Sequence, residues 1–160
     1  MVRQEISKGS FKDVNVREIC NMISNYDINI IGNYIVGFPD DTYETMTSTL
    51  NLALELNTEM MNVYPCQALP GSKLYINAKK EGWDLPTKYE EFAFLSYECK
   101  PLPTKYLTNV EVLKFRDYFW ETYFKNPAFL DKVEHRFGLE QRKNVEEMAR
   151  HSLKRKLLNH

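Results

Sequence analysis

Two adjacent carboxylates, Asp40 and Asp41, follow Gly37-Phe38-Pro39 at the end of an apolar run, "NIIGNYIVGFPDDTYETM". Paired carboxylates can move protons in hydrolysis. Helix capping accounts for them without catalysis, because Asp41 and Glu44 precede a helical pattern as a capping box, with Asp41 in the cap place. No nucleophile–base pair is visible, so a metal-independent hydrolase has little support. The cysteines Cys20, Cys66 and Cys99 lie far apart, without metal-ligand or disulfide spacing, and read as reduced, packed thiols. His135, His151 and His160 are scattered through the polar C-terminal third and read as surface residues. The turn at Gly37 remains. Where a parallel strand hands over to a helix, α/β proteins hold ligands.

The surrounding elements follow from spacing. Asp13 is placed to cap a helix reaching about Asn25, with Val16, Ile19, Cys20 and Ile23 at helical intervals. Ile28 to Phe38 reads as a strand. Ile30, Ile31, Ile35 and Val36 put apolar groups on both its faces, the mark of a strand covered on both sides. Met46, Leu50, Ala53 and Leu54 share one side of the next helix, which ends near Leu56. "MMNVYP" is a second short strand, and "ALPGSKLY" turns into a helix closed by Gly82. Helix, strand, helix, strand, helix implies parallel strands with helical crossovers, and two strands are too few for a stable sheet alone.

After Gly82 come prolines and aromatics, "WDLPTKYEEFAFLSYECKPLPT", an irregular segment expected to pack its rings over the preceding unit. Thr108 and Glu111 form a capping box for a long helix striped with Val112, Phe115, Phe119 and Tyr123. Asn126 caps, and Pro127 opens, a short helix that Gly138 stops. A last helix from about Glu140 is expected to end in "HSLKRKLL", whose basic residues read as a solvated face. The fold expected is α/β, organised as 1–82, an irregular connection 83–107, and a mostly helical extension 108–160.

Composition narrows the classes. An apolar content of 43% supplies a real core and argues against wholesale disorder. A net charge of −1 provides no basic field to recruit nucleic acid or anionic lipid. No run of roughly 18 apolar residues exists to span a membrane. "MVRQEISKGS" lacks the apolar stretch of a signal peptide, so the expected compartment is the cytoplasm.

Taken in order, "IGNYIVGFPDDTYETM" and "NVYPCQALPGSKLY" resemble the second half of a radical S-adenosylmethionine enzyme, most of all the cobalamin-binding subgroup. "EISKG", "FRDYFWETYF", "VEHRFG" and "LKRKLL" extend the resemblance over nearly the whole chain. It implies a partial (β/α) barrel segment with two parallel strands and crossover helices. The family pattern Gly-x-Ile-x-Gly-x-x-Glu falls on Asn33, Ile35, Gly37 and Asp40, so the first Gly and the Glu are replaced here. In the family the Ile lies against the adenine of the cofactor and the Gly lets the ring approach the backbone. A branched apolar face and a missing Cβ suit that contact. The resemblance also makes Tyr64 and Gln67, which leave the second strand, substrate-side candidates.

The family's Cys-x-x-x-Cys-x-x-Cys loop holds a 4Fe–4S cluster, and Cys20, Cys66 and Cys99 are too dispersed to supply it. The resemblance thus implies the C-terminal portion of a larger iron–sulfur enzyme of oxidoreductase or methyltransferase type. S-adenosylmethionine, the cluster and, in the cobalamin subgroup, cobalamin belong to the complete enzyme. This chain alone is expected to bind none of them and to be inactive. Its expected partners are the N-terminal half and a small-molecule substrate, with self-association when that half is absent. The competing reading is a non-enzymatic α/β interaction module that binds a partner through "FRDYFWETYF".

Overall fold

The structure, a computed structural model, describes residues 14–159. The chain runs α1 (Val16–Ser24), β1 (Ile31–Val36), α2 (Tyr43–Leu56), β2 (Met60–Pro65), α3 (Lys73–Lys80), α4 (Asn109–Phe124), α5 (Pro127–Phe137) and α6 (Leu139–Met148). Short 3-10 turns lie at Tyr89–Phe92 and Lys156–Leu158. The molecule is mixed α/β and mostly helical. Among the described residues it has one two-stranded sheet, in which β1 and β2 pair in parallel across the α2 crossover. Ile31 lies beside Met60 and Val36 beside Pro65.

Local sequence explains most helix ends. Thr108 accepts from Glu111 N at 3.3 Å while Glu111 accepts from Thr108 N at 2.7 Å, the reciprocal box expected. Asn126 caps α5 with Pro127 in its first turn, and Gly138 ends it at φ +88°, a left-handed value open to glycine. The cap of α2 differs from expectation. It is Thr42, paired reciprocally with Thr45, and not Asp41 with Glu44. The Asp41 carboxylate is drawn back into the turn by the N–H groups of Gly37 and Phe38. Asn15 caps α1, while Asp13 lies outside the described residues.

One side of the sheet packs on α2 and α4. Val36, Met61 and Val63 meet Met46, Leu50 and Ala53 of α2 and Phe115, Phe119, Tyr123 and Phe124 of α4. Phe129 joins from α5, edge-on to Phe124 at 5.3 Å and 88°. The buried Tyr123 hydroxyl donates to Thr58 O at 2.7 Å, so this polar group is satisfied inside the core. The stripe Val112, Phe115, Phe119 and Tyr123 is therefore core, while Tyr118 of the same helix stays exposed.

Three further expectations are corrected. The first strand is shorter, Ile31–Val36 instead of Ile28 to Phe38. It is covered on one side only: Ile31 and Ile35 remain 58% and 46% exposed, because every helix packed on the sheet uses the opposite face. The last α-helix ends at Met148, so the basic tail lies outside it, with only a 3-10 turn at Lys156–Leu158. Arg155 within that tail is wholly buried, since Asp117 and two backbone carbonyls accept from its guanidinium. A basic run in sequence gives no warning that one member faces inward.

Candidate functional site

Strand alternation sorts the sheet into two faces. Gly32, Tyr34, Val36, Met61 and Val63 turn toward the helices. Ile31, Asn33 and Ile35 of β1 and Met60, Asn62 and Tyr64 of β2 form the other face, paired in register as Ile31–Met60, Asn33–Asn62 and Ile35–Tyr64. At its centre Asn62 Nδ2 donates to Asn33 Oδ1 at 3.1 Å. Acceptor capacity remains on Asn62 Oδ1 and donor capacity on both amides. Ile35 and Tyr64 sit at the carboxyl end, the ligand-holding end of parallel strands. The Tyr64 ring packs on Phe94 at 4.9 Å.

The two outer edges of the sheet differ. Met60 N donates to Ile30 O and Cys66 N to Val36 O, so the even-numbered residues of both strands turn their backbone groups toward each other. Odd-numbered groups point outward. On β2, the Val63 carbonyl accepts from Arg116 Nε at 3.0 Å, and Pro65 has no N–H to offer. On β1 the outward groups belong to Ile31, Asn33 and Ile35, which pair with no strand among the described residues. Beside that edge lies a cleft of about 440 Å³, lined by Val16 and Cys20 of α1, by Ile30, Asn33 and Ile35, and by Leu52 and Leu56 of α2. α1 has a strongly apolar side yet buries none of its residues, and Ile19 and Met22 stay 38% and 55% exposed.

The turn after β1 is held from inside. Gly37 N and Phe38 N each donate to Asp41 Oδ2 at 2.9 Å, and Thr45 Oγ1 donates to Asp41 Oδ1 at 2.8 Å. Two turn N–H groups of the kind that cradle a ligand anion are thereby occupied. Gly37 stands at φ +83°, and a Cβ there would fall 2.4 Å from Val112 Cγ1. An internal contact, the approach of α4, is enough to require glycine. Asp40 pairs with Lys105, and Lys105 N donates to Pro39 O at 2.9 Å, which ties the turn to the 83–107 segment. Burial, helped by the negative charge of Asp41, pushes the Cys66 thiol up to about 12, so it stays protonated and inert.

The sequence candidates fall into two groups. Asn33, Ile35 and Tyr64 come together on the open face. Gly37 and Asp40 lie in the turn beyond it. Gln67 lies beneath the 83–107 segment, donating to Glu91 O at 3.4 Å and Cys99 Sγ at 3.8 Å, while its buried Oε1 has no partner. Sequence reasoning missed Asn62, although its parity with Tyr64 in "MMNVYP" would have found it. It also missed Phe94 and Arg155, for which no local signal exists. Among the described residues no cluster of three His, Cys, Asp or Glu side chains could hold a metal ion. No helix there is long and apolar enough to cross a membrane. No family model, curated protein or solved structure matches the chain.

Proposed function

We propose that this chain is the C-terminal portion of a radical S-adenosylmethionine iron–sulfur enzyme. It supplies two strands to a (β/α) barrel and walls the adenine side of the cofactor pocket. The observation that carries this reading is the half-covered parallel sheet with one open edge. Its helical side is buried in the core, while its other side offers Ile31, Ile35, Met60 and Tyr64 around an amide pair. A free-standing domain has no use for that arrangement, and a barrel needs it on the inside.

The donor set fits the adenine part of the cofactor. Ile35 offers a half-exposed branched surface to a flat ring, and the Asn33–Asn62 pair retains hydrogen-bonding capacity for a base edge. The cluster-bound cofactor supplies a 5′-deoxyadenosyl radical for hydrogen abstraction. The residues of this chain orient the ring, exclude water from that side and present Tyr64 toward substrate. Gln67 lies under the connecting segment, against Glu91 and Cys99.

The test combines the chain with the cysteine-bearing half, reconstituted anaerobically with iron and sulfide, and measures 5′-deoxyadenosine. Formation that depends on both halves supports the reading. Equal formation by the other half alone, or none with both halves folded, refutes it.

A further inference from the structure

The C-terminal tail reaches the sheet through one buried side chain. Arg155 Nη1 donates to Phe94 O at 3.0 Å and Ser96 O at 2.9 Å. Its Nε and Nη2 donate to Asp117 Oδ2 and Oδ1 at 3.2 and 3.1 Å, a bidentate pair. Asp117 also accepts from Arg116 Nη1 at 2.8 Å, and Arg116 Nε holds Val63 O of β2. Two neighbouring contacts align the tail: Lys156 N donates to Tyr97 O at 2.9 Å, and Lys156 Nζ pairs with Glu98 at 2.8 Å.

A closed circuit results. From β2 it runs through Val63, Arg116 and Asp117 to Arg155, then through the Phe94 carbonyl and ring back to Tyr64 of β2. Phe94 lies in a segment with no regular structure from Ala93 to Thr108. Lys100 N to Glu91 O and Leu102 N to Cys66 O tie down that segment, and Ser96 closes a turn around Phe94 through its N–H to Ala93 O at 3.1 Å and its Oγ to Glu90 O at 2.7 Å, but none of these bonds holds the Phe94 carbonyl. Arg155 is the group that holds the Phe94 carbonyl. We propose that Arg155 is a positioning residue: by gripping the Phe94 and Ser96 carbonyls it sets the Phe94 ring against Tyr64 and shapes the carboxyl end of the open sheet face. As a statement about a pocket wall, this rests on the function proposed above.

The test uses the 160-residue chain alone and needs no cofactor, so it stands or fails separately from 5′-deoxyadenosine formation. In Arg155→Met, Asp117 keeps Arg116 as its counter-ion, so no carboxylate is orphaned. The Tyr64–Phe94 ring-proton cross-peak should vanish from the NMR spectrum. Amides of residues 94–98 should exchange about tenfold faster or more, while those of α5 and α6 keep their rates. Arg155→Lys retains the charge but reaches fewer partners at once. It should show the same pattern in weaker form, and it serves if the Met variant does not fold. An unchanged cross-peak with unchanged local exchange in a folded variant would overturn the proposal.

Discussion

Gly37 carries two constraints at once, a left-handed φ of +83° and the close approach of Val112. Gly37→Ala should cost about 2–4 kcal/mol, the sum of a left-handed penalty and local overpacking. Adding Val112→Ala should relieve the clash and leave the backbone penalty, so the two substitutions should be strongly non-additive in denaturant melts. The thiols divide just as sharply. Burial raises both Cys66 and Cys99, whereas Cys20 lies half-buried on α1 beside the cleft. A disulfide reagent at pH 8 should label Cys20 alone in the native chain and all three cysteines after denaturation. Mass spectrometry of the labelled peptides decides this, and early labelling of Cys66 would contradict its burial.

At the scale of the element, β1 is amphipathic across its faces, so its substitutions should split. Ile35→Asp in the isolated chain should shift the melt by less than about 1 kcal/mol, because the side chain is half-exposed. In the assembly proposed above the same change should abolish association, since several kcal/mol attend a carboxylate buried without a partner. The connecting segment has its own pH response. The N–H groups of Lys88 and Thr87 hold Glu91 below its ordinary value of 4.5. A lowered carboxylate pKa gives stability that is present above the unfolded value and lost as pH falls through the folded one. Proteolysis of residues 83–107 should therefore accelerate below about pH 4.5, and Glu91→Gln should accelerate it at neutral pH. Much of this layer was legible in sequence: the Thr108–Glu111 and Asn126–Pro127 signals and the α4 stripe are local patterns with local causes. Coverage of β1 was not, because an isoleucine on an open sheet face and one facing a helix look alike in a strand. Nor was Asp41, where a turn with two free N–H groups outcompeted the helix start for one carboxylate. Arg155 was out of reach altogether, since its partners lie 38 to 61 residues away.

For the whole molecule, the open face and the β1 edge leave apolar surface and backbone groups without a strand partner. Such an edge templates pairing. The isolated chain should self-associate on concentration, as followed by light scattering across a dilution series. Ile31→Lys with Ile35→Lys should return it to a monomer, because charge on an edge strand opposes pairing. If the function proposed above holds, the cysteine-bearing half should do the same by competition. The inequality of the two edges then fixes how far association can go. Arg116 and Pro65 leave β2 unable to accept a further strand at two of its outward positions, so each molecule should have an edge-pairing valence of one. Two copies meeting β1 to β1 about a two-fold axis use up both valences and close. The scattering mass should level off at twice that of the chain. A sheet edge that ends in a proline and an arginine-held carbonyl should act as a chain terminator, so that strand-to-strand pairing stops at two copies.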